Sequence, residues 1–162
     1  MTGTGDPVGR LARELVARAA AQGLTLATAE SLTGGAVSAA MVEVPGASRV
    51  LRGGVVAYAT DLKRDWLDVP AELLSQRGPV DPDVAVAMAA AVRRRAAADV
   101  GLATTGVAGP GPSDGHPPGT VHVAVVTAGA RQVRSPSLPG DRSAVRAGAT
   151  EAVLALALTL IT

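Results

Sequence analysis

The chain has 162 residues, of which 48% are hydrophobic, and this favours a single domain with a core of ordinary size. Its 15 basic and 14 acidic residues give a formal net charge of +1, so no overall field argues for binding nucleic acid or an anionic membrane. The absence of cysteine excludes disulfides, thiolate nucleophiles and cysteine metal sites, and it is compatible with a reducing cytoplasm.

Two further features bear on targeting. Residues 1–6 lack the basic region followed by an apolar one that a signal peptide carries, and the longest apolar stretch, near the C-terminus, is too short to span a bilayer. We therefore expect a soluble, cytoplasmic protein with no nucleic-acid or membrane partner. We also expect it to form a homo-oligomer.

The first elements in chain order are a helix, a strand and a second helix. Asp6-Pro7 is typical of an N-cap and first helical position, and apolar residues at helical spacing continue to Gly23, a glycine stop. Residues 24–29 predict a short strand. After Gly34-Gly35, a second helix is expected to reach about Glu43.

The middle of the chain predicts a strand and three helices. Residues 50–59 form a β-rich run with an internal bulge at Gly53-Gly54. Short helices are expected over residues 61–67 and 71–76. Asp81-Pro82 then opens a long helix.

The last part predicts three strands and a helix. Residues 100–104 read as a buried strand, and residues 105–119 as a glycine- and proline-rich loop that we interpret as a stiff cover over a site. Residues 120–127 are a clear strand and residues 132–138 an edge strand. Asp141 caps a final helix that runs through Leu160.

Strands that alternate with helices in this way predict an α/β fold. We expect a three-layer α/β/α sandwich around a mixed or largely parallel sheet, in a single domain over residues 1–162. Sites in such folds lie at the carboxyl ends of the strands. Ser31, Tyr58 and Thr105 each follow a predicted strand.

The stretch over residues 29–35 is the first candidate site. Ser31 stands at the predicted N-cap of the second helix, whose first amides lack internal partners, and Gly34 and Gly35 let another molecule approach the backbone. An anion or a developing oxyanion fits such a place. The structural alternative is that Ser31 is only an N-cap, because serine is among the preferred residues there.

Lys63 is the second candidate, since it is the one lysine in a chain whose other cations are arginines. Burial can lower the pKa of a lysine until it acts as a base, whereas a guanidinium stays protonated. Lys63 also lies five residues after Tyr58, the one tyrosine. The alternative is an ordinary surface lysine.

Other familiar sites are missing from the sequence. There is no Gly-Lys-Ser/Thr phosphate loop, no His-Glu-x-x-His and no Gly-x-Ser-x-Gly. His116 in the loop and His122 in a strand have no metal-like companions, so we expect neither a metal nor a cofactor. Ser31, Lys63 and Tyr58 together predict a serine/lysine hydrolase for amides or esters, in which the lysine removes the hydroxyl proton and the helix amides stabilise the oxyanion.

Three motifs follow one another in the chain, which are TAESLTGG at residues 28–35, GGVVAY at 53–58 followed by Lys63, and TGVAGPG at 105–111. Together they resemble the successive motifs of the CinA C-terminal domain family, the nicotinamide-nucleotide amidases, and the match covers nearly the whole chain. The resemblance implies deamidation of nicotinamide mononucleotide, a small-molecule nucleotide substrate, to nicotinate mononucleotide and ammonia. The reaction belongs to pyridine nucleotide recycling and uses no metal.

The resemblance also implies roles for single residues. Ser31 matches the nucleophile, Lys63 and Tyr58 match residues that assist it, and Thr105-Gly106 belongs to the same pocket. The remaining residues that we assign to substrate binding on this basis are Glu30, Thr33, Gly34, Gly35, Gly109 and Arg142.

Arg142 belongs to a Gly-Asp-Arg motif of the family at residues 140–142, which is followed by Val145-Arg146. Near a helix start, Arg142 could meet the substrate phosphate, or both arginines could be solvated on the helix surface. The chain departs from the family at Leu32, where cysteine is frequent, at Thr60, where asparagine is common, and at Pro112, which interrupts a run of glycines.

A competing hypothesis is a non-catalytic nucleotide-binding or protein-interaction module that has kept the pocket. Lys63 and Tyr58 argue against it, because binding alone does not require an amine that can lose its proton. Longer family members carry an N-terminal domain linked to competence or DNA-damage responses, and we expect no room for it in 162 residues.

Overall fold

Five strands form one sheet in the described part of the chain, residues 5–162 of the computed structural model. They are β1 (Leu26–Glu30), β2 (Leu51–Val56), β3 (Val100–Gly106), β4 (Val121–Val126) and β5 (Arg131–Arg134). The order in the sheet is β2-β1-β3-β4-β5. β1 pairs in parallel with β2 and β3, whereas β4 pairs antiparallel with β3 and β5, so the sheet is mixed.

Helices cover both faces of this sheet. They are α1 (Pro7–Gln22), α2 (Ala36–Val42), α3 (Thr60–Leu67), α4 (Ala71–Arg77), α5 (Pro82–Arg95) and α6 (Arg142–Leu160), with a single 3-10 turn over Ala47–Arg49. α1, α2 and α6 pack together on one face, and α5 covers the other with α3 against it. The predicted three-layer α/β/α sandwich is therefore confirmed.

The two faces of the sheet differ in the size of their side chains. Val121, Val123 and Val125 of β4 point into the core that α1 and α6 close, whereas Ala124 joins the core under α5. A Cβ atom at Gly101 of β3 would collide with the backbone of Ala89 in α5. Small residues thus let α5 lie close against the sheet.

Several predicted helix ends are confirmed. α1 begins at Pro7 and ends where Gly23 adopts a left-handed conformation with φ of 66°, although the Asp6 side chain makes no capping hydrogen bond. The carboxylate of Asp81 accepts a hydrogen bond from the Asp83 amide at the start of α5. Asp141 does the same for α6, with the amide of Ala144 as donor.

The strand predictions need corrections, and the first is that β2 ends at Val56 and not at Ala59. Leu26 pairs with Leu51 and Ala27 pairs with Gly53, so the irregularity in β2 lies at Arg52 and not at Gly53-Gly54. Gly54 instead permits close packing, because a Cβ atom there would collide with the hydroxyls of neighbouring residues in β1 and α2. The edge strand β5 is shorter than predicted and begins one residue earlier.

The argument that the C-terminal apolar stretch is too short to span a bilayer is also wrong. α6 has 19 residues and is, by length and composition alone, long and apolar enough to cross a membrane. Its buried residues, among them Val145, Val153 and Leu154, pack in the core with α1 and the sheet. A core helix passes the same test, so the apolar composition of α6 fits its burial.

The expectation that no signal peptide occurs falls mostly on residues 1–4, outside the described part.

Candidate active site

Ser31 and Lys63 meet at the carboxyl end of β1. Ser31 follows β1 directly, and Lys63 lies in the first half of α3, which begins shortly after β2 ends. The Lys63 Nζ atom donates hydrogen bonds to Ser31 Oγ at 2.9 Å, to the Ala57 carbonyl at 2.8 Å and to the Tyr58 carbonyl at 3.2 Å. Lys63 is 2% exposed and Ser31 7% exposed. The sequence-predicted pair is therefore within proton-transfer distance.

The surroundings of Lys63 favour its neutral form. Burial lowers the pKa of Lys63 from 10.5 to about 8, and the negative charge of Asp114 opposes part of this shift. At pH 7 about a tenth of such an amine is neutral, against about a third of a thousandth for an exposed lysine. Two backbone carbonyls orient the amine toward Ser31, so the side chain is suited to act as a base.

The Glu30 carboxylate caps α2, and this overturns the prediction that Ser31 is the N-cap. Gly35 occupies the N-cap position with φ of 104°. Glu30 is 1% exposed and accepts hydrogen bonds from the amides of Gly35 at 3.1 Å, Val37 at 2.9 Å and Ser38 at 3.0 Å. The hydroxyls of Thr33 and Ser38 donate to it as well. A buried carboxylate with five donors neutralises the start of the helix.

The first amides of α2 are thus unavailable to an oxyanion, contrary to the sequence-based mechanism. The Ser31 amide is also engaged, since it donates to the Thr104 carbonyl at 3.1 Å. Thr33 Oγ1 lies 2.8 Å from Thr104 Oγ1, which ties the turn after β1 to β3. Glu30 and Thr33 therefore hold the turn that presents Ser31.

A cavity of about 130 Å³ opens beside the Ser31-Lys63 pair. Four separate segments of the chain line it, which are the turn after β1, the β2-α3 connection with the start of α3, the residues before α5, and the end of β3 with the loop that follows it. The lining residues are Ser31, Leu32, Tyr58, Thr60, Lys63, Pro79, Val80, Thr105, Gly106, Ala108, Ser113 and Asp114. Two of the departures from the family, Leu32 and Thr60, thus face the cavity.

Tyr58 and Arg142 meet at the edge of this cavity. The Tyr58 side chain is 58% exposed, and its hydroxyl accepts a hydrogen bond from Arg142 at 3.0 Å. Arg142 also donates to the Gly109 carbonyl at 2.7 Å. Only the backbone carbonyl of Tyr58 contacts Lys63, so the phenol is directed toward Arg142 and not toward the amine.

The other residues assigned to substrate binding fall into two groups. Thr105 and Gly106 line the cavity, and Thr105 Oγ1 donates to the Pro79 carbonyl at 2.7 Å. Glu30, Thr33, Gly34, Gly35 and Gly109 are not among the lining residues. Their contact with a substrate stays a prediction.

Sequence reasoning missed the positions of two charged residues. Arg146 donates from Nε to the Leu32 carbonyl and from a terminal nitrogen to the Thr33 carbonyl, both at 2.9 Å. Asp114 lines the cavity, and it is the one acidic residue in the loop 105–119. A single acidic residue in a loop that we interpreted as a cover over a site could have identified Asp114 as a candidate from the sequence.

The histidines make no metal site with their neighbours. Within residues 5–162, no group of three or more histidine, cysteine, aspartate or glutamate residues is placed to hold a metal ion. His122 Nδ1 lies 2.7 Å from Ser135 Oγ, and partial burial lowers the pKa of its imidazole.

Comparison with known proteins gives a consistent result. The family model of the CinA C-terminal domain matches residues 9–161. A CinA-like protein of Frankia casuarinae is 48% identical over 132 residues, which cover 82% of this chain and 30% of that protein. The chain spans about a third of the length of the curated relatives it matches.

Solved structures agree with this match. The competence/damage inducible protein CihA from Agrobacterium tumefaciens superimposes with a TM-score of 0.94 at 32% identity, over 100% of both chains. A CinA superfamily protein from Escherichia coli gives a TM-score of 0.92 at 34% identity, over 99% of this chain and 94% of that one.

Proposed function

The chain belongs to the CinA C-terminal domain family, and from this premise we propose that it hydrolyses nicotinamide mononucleotide to nicotinate mononucleotide and ammonia. The observation that carries the proposal is the buried 2.9 Å hydrogen bond between Lys63 Nζ and Ser31 Oγ. An amine with a pKa of about 8 can accept a proton near neutral pH, a property that a binding module does not need.

In the proposed reaction, neutral Lys63 takes the proton of Ser31 Oγ while this oxygen attacks the amide carbonyl. The tetrahedral intermediate collapses, the C–N bond breaks, and Lys63 gives its proton to the departing nitrogen, so ammonia leaves. Water then attacks the ester while Lys63 takes one of its protons. The bond to Ser31 Oγ breaks, and Lys63 returns the proton to that oxygen, which regenerates the enzyme.

The oxyanion of this reaction needs donors other than the first amides of α2. The amide of Leu32 follows Ser31 directly, Leu32 lines the cavity, and this amide has no hydrogen-bond acceptor within the described part of the chain. We propose that it stabilises the oxyanion in the way that backbone amides do in other acyl-transfer enzymes.

The size of the cavity supports one aromatic ring as its occupant. A cavity of about 150 Å³ in another protein holds one benzene molecule, and the volume here is similar at about 130 Å³. The ribose and phosphate must then extend outward. Arg142 and the Tyr58 hydroxyl lie at the edge, where they could bind the phosphate.

We also propose that the protein acts on this nucleotide as a cytoplasmic homo-oligomer in pyridine nucleotide recycling, without nucleic acid or membrane. Exposed apolar side chains such as Val42, 63% exposed, and Trp66, 49% exposed, are compatible with contacts between copies. Light scattering of the purified protein tests the oligomeric state.

Ammonia release from nicotinamide mononucleotide is the direct test of the activity. Nicotinamide riboside and nicotinamide serve as controls for the phosphate and the ribose. We expect release from the mononucleotide, with a rate that rises with pH through about 8 as Lys63 loses its proton. No release from any of the three, by folded protein, would favour the binding module.

Substitution of Lys63 tests its role as a base. Lys63→Arg keeps the charge but cannot accept the Ser31 proton, so it should be as inactive as Lys63→Ala. Arg64→Lys is a matched control, since Arg64 is the next residue in α3 and its side chain is 51% exposed. Substantial turnover by Lys63→Arg, with a rate that still rises with pH through about 8, would contradict the role of Lys63 as a base.

A further inference from the structure

Asp114 brings a negative charge to a cavity that otherwise contains only the charge of Lys63. Among the lining residues of the described chain, Lys63 and Asp114 are the two that carry formal charges. When Lys63 is neutral, as the proposed reaction requires, Asp114 gives the lining residues a net charge of −1, while Arg142 lies at the edge, where the phosphate is proposed to bind. A negative cavity favours a positively charged ligand and disfavours the developing oxyanion of a neutral one.

Hydrogen bonds within the loop orient this carboxylate, although Asp114 is exposed to solvent. Asp114 has a left-handed backbone conformation with φ of 51°. Ser113 and His116 on either side of it exchange two backbone hydrogen bonds, of 3.0 and 2.9 Å. The Ser113 hydroxyl donates to Asp114 Oδ2 at 2.8 Å. The carboxylate is thus presented on a tight turn toward the same cavity as Ser31 and Lys63.

We propose that Asp114 is a specificity-determining residue, which selects amides attached to a positively charged ring over the corresponding neutral amides. This inference rests on the proposed function, whose substrate carries its amide on a pyridinium ring. The ring cation compensates the Asp114 charge when the substrate binds. It also offsets the repulsion between that carboxylate and the oxyanion, which a neutral pyridine amide cannot do.

A pair of nucleotides that differ in ring charge provides the test. Nicotinamide mononucleotide has a pyridinium ring, whereas its 1,4-dihydro form has a neutral ring with the same ribose, phosphate and carboxamide. The variant is Asp114→Asn, because asparagine tolerates the left-handed conformation and still accepts the Ser113 hydrogen bond. Glu151→Gln is the control, since it removes the same charge from an exposed position on α6.

The measurement is kcat/KM for both nucleotides at about pH 9, where Lys63 is largely neutral. We expect Asp114→Asn to lower kcat/KM for the pyridinium substrate about fivefold, the upper range for a solvent-exposed charge pair. For the dihydro substrate kcat/KM should stay the same or rise by up to about twofold, because the variant no longer repels the oxyanion. The difference should shrink at high salt. The lower intrinsic reactivity of the dihydro amide cancels, because each substrate is compared between two proteins.

An equal change for both substrates would mean that Asp114 acts only through Lys63, and it would overturn the inference, as would no change for either. A binding measurement separates this inference from the proposed function. Calorimetry compares the affinity of both nucleotides for the Ser31→Ala variant and for the double variant that also carries Asp114→Asn. If the pyridinium nucleotide binds more tightly in a way that depends on Asp114, but the wild type shows no turnover, the inference is supported and the proposed function is contradicted. Turnover without such a preference would contradict the inference and support the proposed function. If neither nucleotide binds and neither is turned over, both are contradicted.

Discussion

Lys63 is held at a cost in stability. Its pKa is about 8 in the folded protein and 10.5 in the unfolded chain. Between these values the unfolded chain binds more protons, so the free energy of unfolding rises with pH across this window. Below pH 8 the whole cost is present, and above about pH 10.5 it vanishes.

A stability measurement can isolate this cost. Lys63→Met replaces the amine with an apolar side chain of similar length. The variant should therefore lose the part of the pH dependence of the free energy of unfolding that comes from Lys63. Between pH 7.5 and 10, we expect the free energy of unfolding of the wild type to rise relative to the variant by about 1 to 3 kcal/mol. Urea titrations at both pH values measure this. Parallel pH curves for the two proteins would contradict a lowered pKa.

In the proposed reaction, Ser31 acts mainly in bond making and adds little to nucleotide binding. We expect Ser31→Ala to abolish turnover while nucleotide affinity stays within about tenfold, because the hydroxyl makes the bond but adds only about one neutral hydrogen bond to binding. Isothermal calorimetry and ammonia release measure the two effects. Since Gly35 and not Ser31 occupies the N-cap of α2, we expect no loss of helix-cap stability in this variant. Equal losses of binding and rate would mean that Ser31 only shapes the cavity.

At the scale of the element, α2 depends on one carboxylate from the preceding strand. Glu30→Gln replaces an oxygen that accepts from Ser38 with an amide group that is itself a donor, in a buried place. We expect a loss of about 2 to 4 kcal/mol in the free energy of unfolding, measured with urea.

The matched control is Glu43→Gln at the other end of α2, where the side chain is exposed and a change below about 0.5 kcal/mol is expected. Turnover should fall in Glu30→Gln as well, because the turn that carries Ser31 loosens. Equal stability of the two variants would show that Glu30 is not the cap.

Local signals explain which elements the sequence could predict. Pro7 and Gly23 bound α1, and Asp81-Pro82 opens α5, because caps and stops act within a few residues. The cap of α2 does not follow from such local sequence rules. Its carboxylate lies at Glu30, five residues before Gly35, and the turn must fold back before the two can meet. Serine at Ser31 therefore attracted the N-cap assignment by propensity alone.

At the scale of the whole molecule, the cavity joins segments that are far apart in the chain. The Ser31-Lys63 pair was predictable, because a single lysine in an arginine-rich chain stands out in the composition. The position of Asp114 was not, since no periodicity links the loop after β3 to the turn after β1. The pairing of Tyr58 with Arg142 across 84 residues was equally beyond local rules.

The donor set of the molecule predicts insensitivity to chelators. No cluster of three potential ligands is formed by the residues that the structure describes, and the proposed chemistry uses only Ser31, Lys63 and a backbone amide. Ammonia release should therefore persist after dialysis against EDTA and exposure to 1,10-phenanthroline. Loss of the rate, restored by one added metal, would overturn the serine/lysine assignment.

The two hydrogen bonds from Arg146 make the turn after β1 dependent on the helix that is translated last among the elements. Arg146 reaches the carbonyls of Leu32 and Thr33 from α6, across more than a hundred residues. During synthesis, the turn after β1 emerges from the ribosome long before α6 does. It therefore lacks these two hydrogen bonds while the sheet assembles. A nascent chain should thus acquire the proposed activity only after α6 has left the ribosome, and ammonia production by stalled chains of increasing length would report the moment when α6 docks.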